Sequence, residues 1–207
     1  MSARVAVLAS GRGSNLAALA DASALHDAQI ALVVVDRVGA GAVQVAAERG
    51  LRCIKLPRAR GEAAAHHEAR LRAVLDDAAI DWVCLAGYLR LLSAGFLLAQ
   101  RGRVLNIHPS LLPALPGLHA IERAHRQALP QTGVTVHLVD DGVDTGPIVV
   151  QAPVPLVAGE ALAALEARVH AVEHRLYPQA LRLAARGDLD DRVAALLSAL
   201  EARSQQS

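Results

Sequence analysis

The sequence predicts an α/β fold: a doubly wound, mostly parallel sheet that ends in an antiparallel hairpin. Three observations carry this. Short apolar runs alternate with longer amphipathic ones, the early runs are apolar almost throughout, and two late runs lie too close together for a helix between them. Arg4–Ala9, Ile30–Asp36, Arg52–Leu56, Asp81–Ala86 and Arg103–Ile107 read as the first strands. Strands that are apolar on both faces belong to parallel sheets covered by helices on both sides. The segments near Asn15–Ala24, Gly41–Arg49, Glu62–Ala79 and Leu92–Gln100 supply those helices.

Thr132–Val139 and Pro147–Leu156 flank Asp140–Gly146, a connection that suits only an antiparallel pair. A long helix starts near Glu160, where Leu162, Leu165, Val169, Val172 and Leu176 recur at helical spacing and should face the sheet. Glu166, His170 and Glu173 fall on a different face, and Pro178 should kink or interrupt the helix. After Asp188 a polar helical tail should fray at Ser204–Ser207. No repeat or linker divides the chain, so residues 1–207 read as one domain. Residues 1–100 and 101–187 would form its two halves, and 188–207 the helical tail.

The 207 residues are 53% hydrophobic and 20% charged, a globular composition. Only 2% are aromatic, so Ala, Leu and Val must fill the core. A formal net charge of +1 gives no reason to expect nucleic acid or an anionic membrane as partner. Cys53 and Cys84 lie in apolar runs and read as small buried side chains of a reducing cytosol. Val5–Ala9 is too short for an export signal, and Ile30–Val35 too short to span a bilayer. A soluble, cytoplasmic protein is expected.

Four segments could carry chemistry. Ser10-Gly11-Arg12-Gly13-Ser14-Asn15-Leu16 follows the first strand and opens a helix, where free N–H groups and the positive dipole end suit an anion. The bland alternative is a tight turn capped by Ser or Asn. Leu16 stands where the third glycine of a dinucleotide fingerprint would be, which favours a monophosphate over a nicotinamide cofactor. In Asn106-Ile107-His108-Pro109-Ser110-Leu111-Leu112-Pro113, Asn106 and His108 are two apart at a strand end and point to one side of the sheet. The carboxyl ends of strands are where open α/β sheets bind ligands.

Asp140-Asp141-Gly142-Val143-Asp144-Thr145-Gly146-Pro147 is the hairpin loop. Its aspartates are good turn formers, and a metal loop with His137 is a further alternative that matches no calcium-loop spacing. The sharper reading is that Asp144 reaches His108 and orients or charges it. Leu85-Ala86-Gly87-Tyr88-Leu89-Arg90-Leu91-Leu92 runs from a strand end into a turn that could hold a flat heterocycle, or is an ordinary corner.

Together with Glu173-His174-x-x-Tyr177-Pro178, these segments resemble the folate-dependent formyltransferase family, in order from about residue 4 to residue 187. The Asn-Ile-His-Pro-Ser-Leu-Leu-Pro segment is shared by the whole family. The first loop and the Glu-His-x-x-Tyr-Pro segment narrow the resemblance to the branch that formylates glycinamide ribonucleotide in purine synthesis. The resemblance implies a Rossmann-like formyltransferase fold, 10-formyltetrahydrofolate as co-substrate and no metal. It implies that Gly13, Ser14 and Asn15 hold the ribonucleotide phosphate with His170 close by, and that Glu173 accepts a hydrogen bond from the glycinamide end. Leu89, Arg90, Leu91, Leu92 and Asn106 would line the folate slot, closed by Asp140, Asp141, Gly142, Val143 and Asp144. Asn106, His108 and Asp144 would be the catalytic trio.

Two positions depart from the family pattern: Ala64 stands where an Arg is frequent, with Arg58 and Arg60 nearby, and His170 stands where a Gln-like residue is common. A tRNA-directed member should carry an extra basic C-terminal domain, and a formyl-folate hydrolase an N-terminal regulatory one. A noncatalytic nucleotide-binding module would explain the glycine loop but not the trio, because polar groups are costly to bury without use. Small-molecule substrates and a monomer or homodimer are expected.

Overall fold

A computed structural model describes residues 2–22 and 27–205. The elements are β1 Ala3–Ala9, α1 Ser14–Asp21, β2 Ala28–Val35, α2 Ala42–Glu48, β3 Cys53–Lys55, α3 Ala64–Asp77 and β4 Trp82–Leu85. There follow α4 Ala94–Ala99, β5 Val104–His108, α5 Ala120–Arg126, β6 Gln131–Leu138, β7 Ile148–Pro155, α6 Leu162–Arg186 and α7 Asp190–Ser204. The expected ends at Ala24, Gln206 and Ser207 lie outside the described residues.

The seven strands form one sheet in the order β3-β2-β1-β4-β5-β6-β7. β1 to β5 run parallel, and β6 and β7 add antiparallel strands at one side. The expected mixed sheet is therefore the observed one. Val5 to Ala9 of β1 are wholly buried, as are Leu32, Val33 and Val35 of β2. This two-sided burial explains why these strands read as continuous apolar runs rather than alternating ones. Chain order reverses across β1 and β4, so their carboxyl ends diverge into a crevice.

Helix α6 packs across the sheet and against α1 and α5. Leu165, Val169 and Leu176 are buried on it as expected. Glu173 is buried too, because the face it occupies meets α1 rather than solvent. Pro178 does not interrupt α6, which runs unbroken from Leu162 to Arg186. Leu176, Tyr177, Ala180 and Leu181 seat both sides of the proline in the core. That packing outweighs the roughly 3 kcal/mol a proline costs inside a helix.

Helix α5 was not anticipated: it has only seven residues and a small buried face of Ala120, Ile121 and Ala124, too little for a periodic signal. The fourth helix starts at Ala94 rather than Leu92, because Ser93 caps it by accepting from Phe96 N. Cys84 is buried, but Cys53 is only partly so, since β3 is the edge strand.

Candidate active site

Strand register assembles the centre of the site. Asn106 pairs with His137 and His108 with Thr135 across β5 and β6. Directly paired residues share a face, and alternation then puts all four on one side of the sheet. Thr135 Oγ1 donates to Ser110 O at 2.7 Å and accepts from Leu112 N at 3.1 Å. Gln151 Nε2 adds bonds to Thr135 Oγ1 and Leu112 O, both 2.8 Å. The proline-stiffened loop after His108 is thus fixed from below by side chains the sequence did not single out.

The hairpin loop folds back over this face. Asp140 Oδ1 accepts from Gly142 N at 3.2 Å and from Thr145 Oγ1 at 2.8 Å, closing the turn on itself. Gly146 must be glycine, because a Cβ there would lie 1.8 Å from Leu138 O. Asp144 takes up a left-handed conformation, φ 56°, tolerable for Asp and rare for most side chains.

Asp144 then meets both other members of the trio. Its Oδ2 lies 3.2 Å from His108 Nδ1 and accepts from Gly117 N at 2.8 Å. Its Oδ1 accepts from Asn106 Nδ2 at 3.3 Å and lies 3.6 Å from His137 Nε2. Burial pushes the Asp144 carboxyl up, but the His137 ring, the Gly117 N–H and His108 together hold it below the usual carboxylate range. His108 Nε2 bonds Leu115 O at 2.9 Å, so an acceptor faces each ring nitrogen. A ring protonated on both nitrogens satisfies this arrangement. Asn106 Nδ2 is also 3.1 Å from His137 Nε2, so the amide nitrogen is engaged inside the constellation and must turn outward to meet a substrate. His137 is therefore part of the constellation; its place opposite Asn106 in the register was the signal for it.

The cleft beside the trio is lined by Tyr88, Leu89, Arg90, Leu91, Leu92, Gly142 and Val143, with Leu118 and Asn106 opposite. Leu89, Leu91, Leu118 and Val143 are 52%, 73%, 67% and 47% exposed. Large apolar side chains gathered at one cleft mouth indicate an apolar ligand. Arg90 is held by Asp36 at the end of β2, Nε to Oδ2 2.6 Å, with the Asp36 side chain 2% exposed. Asp140 lines the cleft, whereas Asp141 does not; it pairs with Arg203 at 3.1 Å. Ala64 begins α3, while Arg58 and Arg90 border a second cleft by Ala63.

The glycine loop adjoins the cleft's Gly87–Leu89 turn: Ser10 N donates to Gly87 O at 3.2 Å and Ser10 Oγ accepts from Leu89 N at 3.1 Å. Gly13 caps α1 with φ 87°, leaving the first N–H groups of the helix unbonded within it. A Cβ at Gly13 would lie 2.7 Å from Ala42 Cα, so this glycine is required by the packing of α2 as well as by any ligand. Asn15 Nδ2 donates to Glu173 Oε2 at 3.1 Å, and His170 Nδ1 lies 2.9 Å from the same oxygen. The Glu173 hydrogen bond raises the His170 pKa, opposed by burial and by Arg12. Of the side chains expected to surround the ribonucleotide, Asn15, His170 and Glu173 are thus a connected group. Among the described residues no cluster of three or more His, Cys, Asp or Glu could hold a metal ion, and no helix is long and apolar enough to cross a membrane.

The chain is similar to known proteins over most of its length. The formyl transferase family matches residues 3–181. The chain is 38% identical to phosphoribosylglycinamide formyltransferase of Escherichia coli (strain K12), covering 89% of this chain and 88% of that one. It is 40% identical to the human trifunctional purine biosynthetic protein adenosine-3 over 89% of this chain, but spans only 18% of that protein. The solved structure of glycinamide ribonucleotide transformylase 1 from Symbiobacterium toebii superposes with a TM-score of 0.86 at 41% identity, covering 90% of this chain and 89% of that one. The chain belongs to the formyl transferase family.

Proposed function

We propose that the protein transfers the formyl group of 10-formyltetrahydrofolate to the amine of N1-(5-phosphoribosyl)glycinamide, in de novo purine biosynthesis in the cytoplasm. The observation that carries this is the contact of Asn106, His108 and Asp144 beside an apolar-rimmed cleft, whose Gly87–Leu89 turn is hydrogen-bonded to Ser10 of the glycine loop. Likeness over nearly the whole length of phosphoribosylglycinamide formyltransferases supports the same substrate pair.

The folate supplies an activated formyl carbon. The neutral amine forms the new N–C bond, the bond to the folate nitrogen breaks, and one proton passes from the amine to that nitrogen. Asn106 donates to the formyl oxygen once it releases His137 or Asp144. His108, with both nitrogens protonated, stabilises the same developing charge. Asp144 keeps the imidazole charged and oriented, and can hold a water that relays the proton. Gly13, Ser14 and Asn15 bind the phosphate at the α1 N-terminus, with His170 adding positive charge beside it. Glu173 receives the glycinamide end. Leu89 to Leu92 and Asp140, Gly142, Val143 and Asp144 hold the pterin. The chemistry needs no metal.

The test is to follow folate deformylation by absorbance with and without glycinamide ribonucleotide. Ribonucleotide-dependent consumption of formyl-folate with formation of the formylated product is expected. Consumption that ignores the ribonucleotide would replace transfer by hydrolysis, and none at all would overturn the reading.

A further inference from the structure

Helix α7 lies beyond the family match, which ends at residue 181. It is firmly anchored: Leu189, Val193, Leu196 and Leu200, at helical spacing, are at most 5% exposed. Arg192 and Arg203 flank this buried stripe. They stand eleven residues apart, three full turns and roughly 16 Å along the axis, so both project from the same side.

These two arginines meet the two ends of the hairpin loop. Arg203 Nη2 lies 3.1 Å from Asp141 Oδ1 and 3.8 Å from Asp140 Oδ2, where the loop begins. Arg192 Nη1 donates to Ile148 O at 2.9 Å and Val149 O at 3.3 Å, where it ends. Between these points lie Val143, at the cleft mouth, and Asp144, in contact with His108 and Asn106. Inside the loop, Asp140 and Gly146 set its shape; α7 sets where that shape sits.

We propose that α7 is a brace for this loop, and that Arg192 and Arg203 are positioning residues for formyl-folate binding. The proposal rests on the reading that the loop closes on the folate. It also accounts for Asp141, whose carboxylate turns away from the cleft to Arg203. Neither arginine touches the reacting groups, so their loss should loosen the cleft and leave the glycine loop untouched.

The experiment uses the full chain with Arg192→Ala, Arg203→Ala, the double variant, and Arg203→Glu combined with Asp141→Arg. Michaelis constants for both substrates are measured beside amide hydrogen exchange over residues 140–148. Partly exposed ion pairs and single hydrogen bonds of this kind have modest effects, so each single variant should raise the formyl-folate KM about threefold and the double about tenfold. The ribonucleotide KM should stay unchanged, loop amides should exchange faster, and amides of α7 should stay protected. The charge swap should restore a near-normal folate KM, which a general loss of stability would not allow. An unchanged folate KM in the double variant, parallel changes in both constants, or a swap without rescue would overturn the brace. Absence of ribonucleotide-dependent transfer in the unaltered protein would instead overturn the functional reading, with the exchange measurement still deciding whether α7 holds the loop.

Discussion

Replacing Asp144 by Asn changes almost no volume and removes only a charge and one acceptor. Oδ1 accepts from Asn106, and Oδ2 accepts from Gly117 N and faces His108 Nδ1. Whichever way the new amide turns, its NH2 confronts a donor. With NH2 at the Oδ1 position it opposes Asn106; at the Oδ2 position it opposes Gly117 and His108. The two contacts at stake on the trio are charge-assisted, about 1.5–3 kcal/mol each. Their joint loss corresponds to roughly 10²–10⁴ in turnover. Ribonucleotide binding, seated on the glycine loop, should persist. Because Asp144 acts through His108 and Asn106, His108→Ala added to Asp144→Asn should cost no more than about threefold beyond the poorer single variant. The assay is transfer rate under saturating substrates, with ribonucleotide binding followed by calorimetry. Losses that simply multiply would show that the residues do not act as one unit, and near-normal turnover in either single variant would remove that residue from the mechanism.

Gly11 and Gly13 should separate ligand crowding from folding. A Cβ at Gly11 meets nothing within 4 Å, so Gly11→Ala should raise the ribonucleotide KM with Tm unchanged, whereas Gly13→Ala should lower Tm through its φ of 87° and Ala42. Gly146→Ala drives a Cβ onto Leu138 O and should lower stability by about 1–3 kcal/mol in thermal unfolding, with loss of turnover as Asp144 shifts. His170 has a raised pKa, so its link to Glu173 stabilises the fold fully below pH 6.5 and fades as pH rises through the higher folded value. The Tm gap between the protein and its His170→Ala variant should therefore shrink from pH 6 to pH 9, and a constant gap would count against the pair.

Legibility in the sequence followed the physics of each segment. The buried parallel strands were plain because two-sided burial leaves an uninterrupted apolar run, as in Val5–Ala9. The short hairpin connection fixed the change to antiparallel pairing. Asn106 and His108 could be put on one face by alternation alone, and the suspected reach of Asp144 to His108 is a 3.2 Å contact. His137 and Thr135 were not recognised as their partners, because only the β5–β6 register brings them opposite. Asp36 was invisible as the holder of Arg90, since 54 residues separate them. That α6 runs on through Pro178 was not legible, because a local rule does not count the tertiary contacts on either side of the proline.

The Tyr177 hydroxyl lies 2.9 Å from Leu85 O and 3.1 Å from Leu105 O, and Glu173 sits one helical turn before it on α6. Leu85 leads into the folate-side turn and Leu105 precedes Asn106. In the proposed function, one rod would therefore meet the ribonucleotide end with one side chain and tie the roots of the folate-side turn and of β5 together with the next. On that reading the spacing between the two substrates would be set as on a caliper, its jaws joined through the phenol's hold on the sheet.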